Sequence, residues 1–202
     1  MEILVATHNN NKRREIKSML RKVESVKVMS LNDLVVQPPM IVEDGKTFRQ
    51  NAVKKAVTIS RFFEGLVLAD DSGLEVDALD GKPGVRSARF ARTKATDEEN
   101  NAKLLKLLGT TPKQKRTARF VCHIAVAKDG HLIRSFEGDV KGQITFKPSG
   151  DKGFGYDPLF IPEGYEKTFA EMTPGYKNRI SHRSAALKQL KKELKKIVKE
   201  VS

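Results

Sequence analysis

ILVATHNNNKRREIKSMLRKV, Ile3 to Val23, sets the architecture. Ile3 to Ala6 is an apolar run of strand length. Thr7-His8-Asn9-Asn10-Asn11 is a polar turn. Ile16, Met19, Leu20 and Val23 then recur at i, i+3, i+4 and i+7, the apolar stripe of a helix. Strand, polar turn and helix in that order open an α/β unit. Val26 to Leu31 reads as a second strand, and Gln37-Pro38-Pro39 interrupts the pattern.

The rest of the chain extends this opening. A helix is expected from Thr47, with Phe48, Ala52, Ala56, Ile59 and Phe63 on its apolar face. Leu66 to Ala69 is a buried-type strand that runs directly into Asp70-Asp71-Ser72-Gly73, after which Leu74, Val76 and Ala78 alternate as in a half-exposed strand. Thr96-Asp97-Glu98-Glu99 is a capping box opening a helix through Leu104, Leu105, Leu107 and Leu108, which Gly109 ends. Phe120, Cys122, Ile124 and Val126 alternate in a long strand, and Asp129-Gly130 turns it into a strand near His131 to Phe136. A third antiparallel strand is expected over Gly138 to Phe146. Ser149 to Pro162 is glycine-rich and irregular. A last amphipathic helix runs from Ser181 through Leu187, Leu190, Leu194, Ile197 and Val201. Alternating strands and helices followed by a β-meander predict a mixed sheet with helices packed on it.

Composition narrows the class. The 202 residues suit one domain, with 39% hydrophobic residues to build its core. The single cysteine, Cys122, excludes an internal disulfide framework. No apolar run approaches the roughly 18 residues of a membrane span, and the amino terminus lacks the order of a signal peptide. A soluble, cytoplasmic protein is therefore expected. Lys plus Arg is 38 against 25 Asp plus Glu, a formal charge of +13. Part of that excess sits on the last helix, at Lys188, Lys191, Lys192, Lys195, Lys196 and Lys199. A solvated helix face and a nucleic-acid surface both explain such a run.

Four clusters stand out as chemistry. Thr7 to Lys12 lies at the carboxyl end of a strand and the amino end of a helix, where main-chain N–H groups and the helix dipole favour an anion. Lys12 is at the electrostatically wrong end of its helix unless an anion joins it; the three asparagines could equally form only a polar turn and cap. Asp70-Asp71 places two carboxylates side by side, which needs a cation to offset their repulsion and suits Mg²⁺. If the strand continues through them the two face opposite ways; an Asx turn is the other reading. Gly153-Phe154-Gly155-Tyr156-Asp157-Pro158 brings aromatic rings and close backbone approach together, as a base pocket or a tight turn would. Lys177 with Ser181-His182-Arg183-Ser184 sets donors at a helix start, unless Ser181 is simply its cap. Asn51 and Lys55, four apart, share a helix face. No zinc spacing or nucleophile elbow is present. The clusters point to a metal-dependent enzyme acting on a nucleoside polyphosphate, without identifying the base or the bond.

ATHNNNKRRE, EDGKTFRQNAVKKA, LADDSGLEVDAL, GKPGVRSARFA, GFGYDPLF and ISHRSAAL closely resemble, in order and over nearly the whole chain, the inosine triphosphate pyrophosphatase family. His8-Asn9-Asn10-Asn11 departs from that family, whose members often carry glycines there. The resemblance implies a single catalytic domain over residues 1–202, built as an elongated mixed sheet with helices, two lobes and a central cleft. It implies hydrolysis of inosine, deoxyinosine and xanthosine triphosphates to monophosphate and pyrophosphate by a homodimer with Mg²⁺, needing neither membrane nor nucleic acid. By the same resemblance Thr7, His8, Asn9, Asn10, Asn11 and Lys12 cradle phosphates. Glu43 and Asp71 hold the metal, and Asp71, with Asp70 as second choice, activates water. Lys55 and Asn51 support the carboxylates and phosphates, and Ser72 adds a substrate contact. Phe154 stacks on the base in a pocket shaped by Gly155, Tyr156 and Asp157, with Lys177, His182 and Arg183 donating to its 6-oxo group. The rival readings are a Maf-type pyrophosphatase acting on other nucleotides and a basic nucleic-acid-binding module.

Overall fold

The computed structural model describes residues 2–21, 23, 26–34 and 38–201; Gln37 of the expected breaker lies outside them, as does the side chain of Val201. Among the described residues six strands hydrogen-bond in one sheet. They are β1 (Glu2–Val5), β2 (Lys27–Ser30), β3 (Leu66–Val76), β4 (Thr117–Lys128), β5 (His131–Ile144) and β6 (Phe160–Pro162), in the order β2-β1-β3-β4-β5-β6. β1 pairs in parallel with β2 and β3, while β5 and β6 are antiparallel, so the sheet is mixed as expected. The helices are α1 (Asn10–Leu20), α2 (Phe48–Ile59), α3 (Asp97–Leu108), α4 (Pro174–Ile180) and α5 (His182–Val201). None of them is long and apolar enough to cross a membrane.

The chain divides into two compact units. One comprises Met1–Asp71, Cys122–Gly138 and Arg183–Ser202; the other comprises Ser72–Val121 and Asp139–His182. In the first unit strand alternation builds a core on each side of the sheet. Ile3, Val5, Leu66, Leu68, Cys122, Ile124 and Val126 pack with α1 and α5, through Ile16, Met19, Leu20, Leu187, Leu190, Leu194 and Ile197. The intervening residues Leu4, Ala6, Val67, Ala69, Ala125 and Ala127 pack with Ala52, Ala56 and Ile59 of α2. Alanines at four of those six positions let α2 lie close to the sheet. In the second unit Leu74, Val76, Ala118, Phe120, Ile144 and Phe160 pack with Leu104 and Leu108 of α3 and with Tyr156, Leu159, Phe169 and Met172.

The local signals for helices are borne out. Asn9, Thr47 and Thr96 cap α1, α2 and α3, the last two with the reciprocal bonds of a capping box. One strand reading is corrected and one open reading is decided. Of the strand and turn readings of Asp70-Asp71-Ser72-Gly73 the strand holds: β3 runs through it without a break, because Leu74 and Val76 continue the apolar burial that Leu66 and Leu68 begin. The two strands expected between His131 and Phe146 are one, β5. On α3, Leu104 and Leu108 are buried and Leu107 is exposed. α4, a short helix started by Pro174, carries too little periodicity to have been expected.

The β4–β5 hairpin turns on Asp129 and Gly130, whose φ values of 51° and 79° are the pair that a type I′ turn requires. Only glycine adopts the second without a steric cost. A Cβ there would also stand 3.0 Å from Arg61 Nε, a mobile group that can give way. Gly130→Ala is expected to lower stability by about 1 to 2 kcal/mol in urea unfolding, leaving the shape of the transition unchanged.

Candidate active site

Because β3 is a strand through Asp70 and Asp71, the two carboxylates leave it on opposite sides. Asp70 follows the parity of Leu66 and Leu68 and turns towards α1 and α5. Its Oδ2 accepts from Arg183 Nε at 3.2 Å and Nη2 at 3.1 Å, lies 3.4 Å from Lys12 Nζ, and is 3.9 Å from Cys122 Sγ. Asp70 is fully buried. Burial alone would raise its proton affinity, but Lys12, Arg183 and Lys55 outweigh it and hold the carboxyl well below the usual range. Arg183, equally buried, also donates to Glu15, and those two carboxylates overcome the burial that works against its charge. Burial, with Asp70 beside it, pushes the Cys122 thiol up to about 12, so it stays protonated. This is a structural ion cluster joining β3, α1 and α5.

Asp71 follows Val67 and Ala69 and turns towards α2. Asn51 Nδ2 donates to its Oδ2 at 3.0 Å, and Lys55 Nζ lies 3.7 Å from Oδ1. The same ammonium donates to Glu43 Oε1 at 2.9 Å and to the Asp70 carbonyl at 2.7 Å. Asn51 and Lys55 are one helical turn apart on the buried face of α2, as expected. The Asn51 side-chain oxygen in turn accepts from Gly45 N–H at 2.8 Å, which ties the segment carrying Glu43 to α2. Burial raises the proton affinity of Asp71 and Glu43 adds to it, more than Lys55 and Lys12 take away. Burial draws on Lys55 in the opposite sense, yet Asp71, Glu43 and Asp70 keep its ammonium proton more firmly than usual. The two adjacent aspartates therefore have opposed characters: Asp70 is locked as an anion, and Asp71 is a carboxylate with raised basicity on a polar, half-open face.

The turn Thr7 to Lys12 sits at the end of β1. Asn9 Oδ1 accepts from the N–H groups of Asn11 and Lys12 at 2.9 and 3.0 Å, and Thr7 Oγ1 accepts from Asn9 N–H at 3.2 Å. Asn9 thus serves as the cap, and three main-chain donors expected to meet an anion bond to side chains. His8, Asn9 and Asn10 are exposed; Asn11 and Lys12 are half-buried.

The second unit holds the aromatic cluster. Lys177, buried on α4, places its ammonium 2.5 Å from Asp157 Oδ2 and 4.7 Å from the centre of the half-buried Phe154 ring. Asp157 Oδ2 also accepts from Phe154 N–H at 2.9 Å. Gly153 has φ 78°, and a Cβ there would run into that carboxylate, so glycine is required on both counts. Tyr156 is buried and donates to the Ser87 carbonyl at 2.8 Å, which makes it a support of the loop. His182 is buried with its ring stacked on Phe120 at 4.8 Å. Ser72 is half-buried on β3. Ser181 is the single extended residue between α4 and α5.

Arg183 directs its guanidinium to Asp70 and Glu15. Adjacent residues on a helix point about 100° apart, so the side chains of His182 and Arg183 leave α5 in different directions. Glu15 and Cys122 complete the ion cluster without having been singled out. Glu15 lies three residues after Lys12 on the same side of α1, a spacing that would have linked them.

The sequence profile of the Ham1 family matches residues 3–193. The dITP/XTP pyrophosphatase of Oceanobacillus iheyensis is 46% identical over 193 residues, covering 96% of this chain and 98% of that protein. That of Bacillus subtilis is 44% identical over 193 residues, covering 96% of each. Among solved structures, the Ham1 protein of Staphylococcus aureus superposes with a TM-score of 0.84 at 37% identity, over 96% of this chain and 98% of that one. A HAM1 protein from Coxiella burnetii gives 0.85 at 39%, over 97% and 99%.

The two aspartates should separate in stability measurements. Asp70→Asn leaves Arg183 and Lys12 short of their shared anion and is expected to cost about 3 to 5 kcal/mol in urea unfolding at pH 7. Asp71→Asn is expected to change stability by no more than about 1 kcal/mol. The sign of the pH dependence follows from the depressed affinity of Asp70. Its contribution is complete above about pH 4 and is lost as pH falls further, so the gap between wild type and Asp70→Asn should narrow there.

Proposed function

The chain belongs to the Ham1 family, and from that membership and its carboxylate geometry we propose that it hydrolyses non-canonical purine nucleoside triphosphates. The substrates are those of the inosine, deoxyinosine and xanthosine type, cut between the α and β phosphates to monophosphate and pyrophosphate. The observation that carries the reading is the convergence of Glu43 and Asp71 on one buried ammonium, Lys55. Two carboxylates kept close, one with raised basicity, make a site for a cation and for an incoming water.

The donor set fits Mg²⁺. Among the described residues no group of three or more acidic, His or Cys side chains forms a metal cage. Mg²⁺ in phosphate chemistry takes one or two carboxylates and completes its shell with phosphate oxygens and water. Glu43 and Asp71 supply hard oxygens, and their mutual repulsion is what a divalent ion would relieve. When bound, the ion would neutralise phosphate charge and acidify water.

The protein's own groups do the rest. Asp71 accepts the proton of the attacking water, and Asn51, fixed on Asp71 Oδ2, sets the direction of the receiving oxygen. Lys55 offsets the charge that grows on the bridging and leaving oxygens. Lys12, at the first turn of α1, offers a second fixed charge to the phosphates. Phe154 stacks on the purine. Lys177, held by Asp157, donates to the 6-oxo group, with His182 five residues further along the chain. A 6-oxo purine accepts where adenine presents an amino donor, so each buried donor left facing adenine costs about 1 to 3 kcal/mol. Homodimer formation and a cytoplasmic setting belong to the same proposal, supported by the family resemblance.

Two outcomes test the reading. Asp71→Asn should lower kcat for inosine triphosphate by at least about 100-fold, with an unchanged circular dichroism spectrum. A kcat near that of wild type would remove Asp71 as the base. In a substrate panel, kcat/KM for inosine triphosphate should exceed that for adenosine triphosphate by at least about 100-fold. Equal values would overturn recognition through donors.

A further inference from the structure

The loop that carries Phe154 is held by a helix outside the residues assigned to substrate. Gly155, the next residue, donates its N–H to Asp97 Oδ2 at 2.6 Å, and its carbonyl accepts from Asn101 Nδ2 at 3.0 Å. Asp97 and Asn101 are four apart on α3, so one face of one helix grips both main-chain polar groups of one glycine. The helix itself is anchored by Leu104 and Leu108, both fully buried. The Phe154 N–H is fixed on Asp157, and the Tyr156 hydroxyl on the Ser87 carbonyl. Asn100, beside Asn101, accepts from Ala91 N–H at 2.8 Å and so ties a second loop to the same end of α3.

Gly155 has φ 63°, and a Cβ there would meet nothing within 4 Å. Glycine is therefore needed at this point for its backbone conformation, and that conformation is what the two α3 side chains hold. A stacking ring on an unfixed loop would lose affinity to the cost of ordering it. We propose that Asp97 and Asn101 are positioning residues that hold the Phe154 ring ready for the purine, so that α3 tunes base affinity without touching substrate. This rests on the reading of Phe154 as the base platform.

Steady-state kinetics with inosine triphosphate and Mg²⁺ test it on five variants. Asp97→Ala should raise KM roughly fivefold, the loss of one charge-assisted hydrogen bond, with kcat within about twofold. Asp97→Asn keeps an acceptor oxygen for Gly155 N–H and should restore most of the affinity. Glu98→Ala removes a neighbouring first-turn charge whose bonds are to Thr96 and its own main chain, and should leave KM unchanged. Phe154→Ala should raise KM by about tenfold. Adding Asp97→Ala to it should add nothing, because the aspartate acts through the ring. The inference fails if Asp97→Ala keeps the wild-type KM while Phe154→Ala does not, or if its effect persists in full without the ring. A fall in kcat alone would mark Asp97 as merely structural. A wild-type KM for Phe154→Ala would overturn the base platform first, and the clamp with it.

Discussion

A strand alternates its side chains, and β3 does so through two adjacent aspartates. No turn separates Asp70 from Asp71, so one chemical type is delivered to two environments 180° apart. On one side Asp70 meets Arg183 and Lys12 and becomes part of the scaffold. On the other Asp71 meets Asn51, Lys55 and Glu43 and keeps a raised basicity. The core of the first unit follows the same alternation: residues of one parity bury against α1 and α5, and those of the other against α2. Moving the register by one residue would exchange the two aspartates and place both cores on the wrong faces.

Burying charge is expensive unless the partners are arranged beforehand, and three buried cations show such an arrangement. Arg183 is answered by Asp70 and Glu15, Lys55 by Glu43 and Asp71, and Lys177 by Asp157 and the Phe154 ring. The Arg183 pairs join residues more than a hundred apart in sequence and set α5 against β3 and α1, while the Lys55 and Lys177 pairs fasten a helix to a segment 12 to 23 residues away. The positions that bind substrate in the proposed function thereby inherit their geometry from the same interactions that hold each unit together. The lysines of α5 behave differently. Lys188, Lys192, Lys195, Lys196 and Lys199 are exposed, while Lys191 reaches back to the Met19 carbonyl at the end of α1. A solvated face with one internal tether accounts for them.

Much of the fold was legible because local rules and burial agreed. The stripe Ile16, Met19, Leu20, the helix start at Thr47, the capping box at Thr96 and the Asp129-Gly130 turn all form where spacing places them. Where local signals left a choice open, tertiary burial made it. Asp-Asp-Ser-Gly is turn-like in composition, yet it stays extended because cations wait on both of its faces. Of the candidate site, Asn51 and Lys55 were legible as a helix face. The commitment of Arg183 to Asp70 was not, since 113 residues separate them and either residue alone looks like a surface charge. The grip of Asp97 and Asn101 on Gly155 was hidden for the same reason. Their i, i+4 spacing was visible, but nothing in it names the loop that it faces.

The central claim is that the Asp71 face of β3 directs water to the α–β anhydride of a nucleoside triphosphate. It is tested most directly by incubating the protein with Mg²⁺ and inosine triphosphate in ¹⁸O-labelled water and identifying the products. The account requires inosine monophosphate and pyrophosphate, with no free phosphate formed alongside. Inosine diphosphate and phosphate would contradict it, and so would the absence of any turnover.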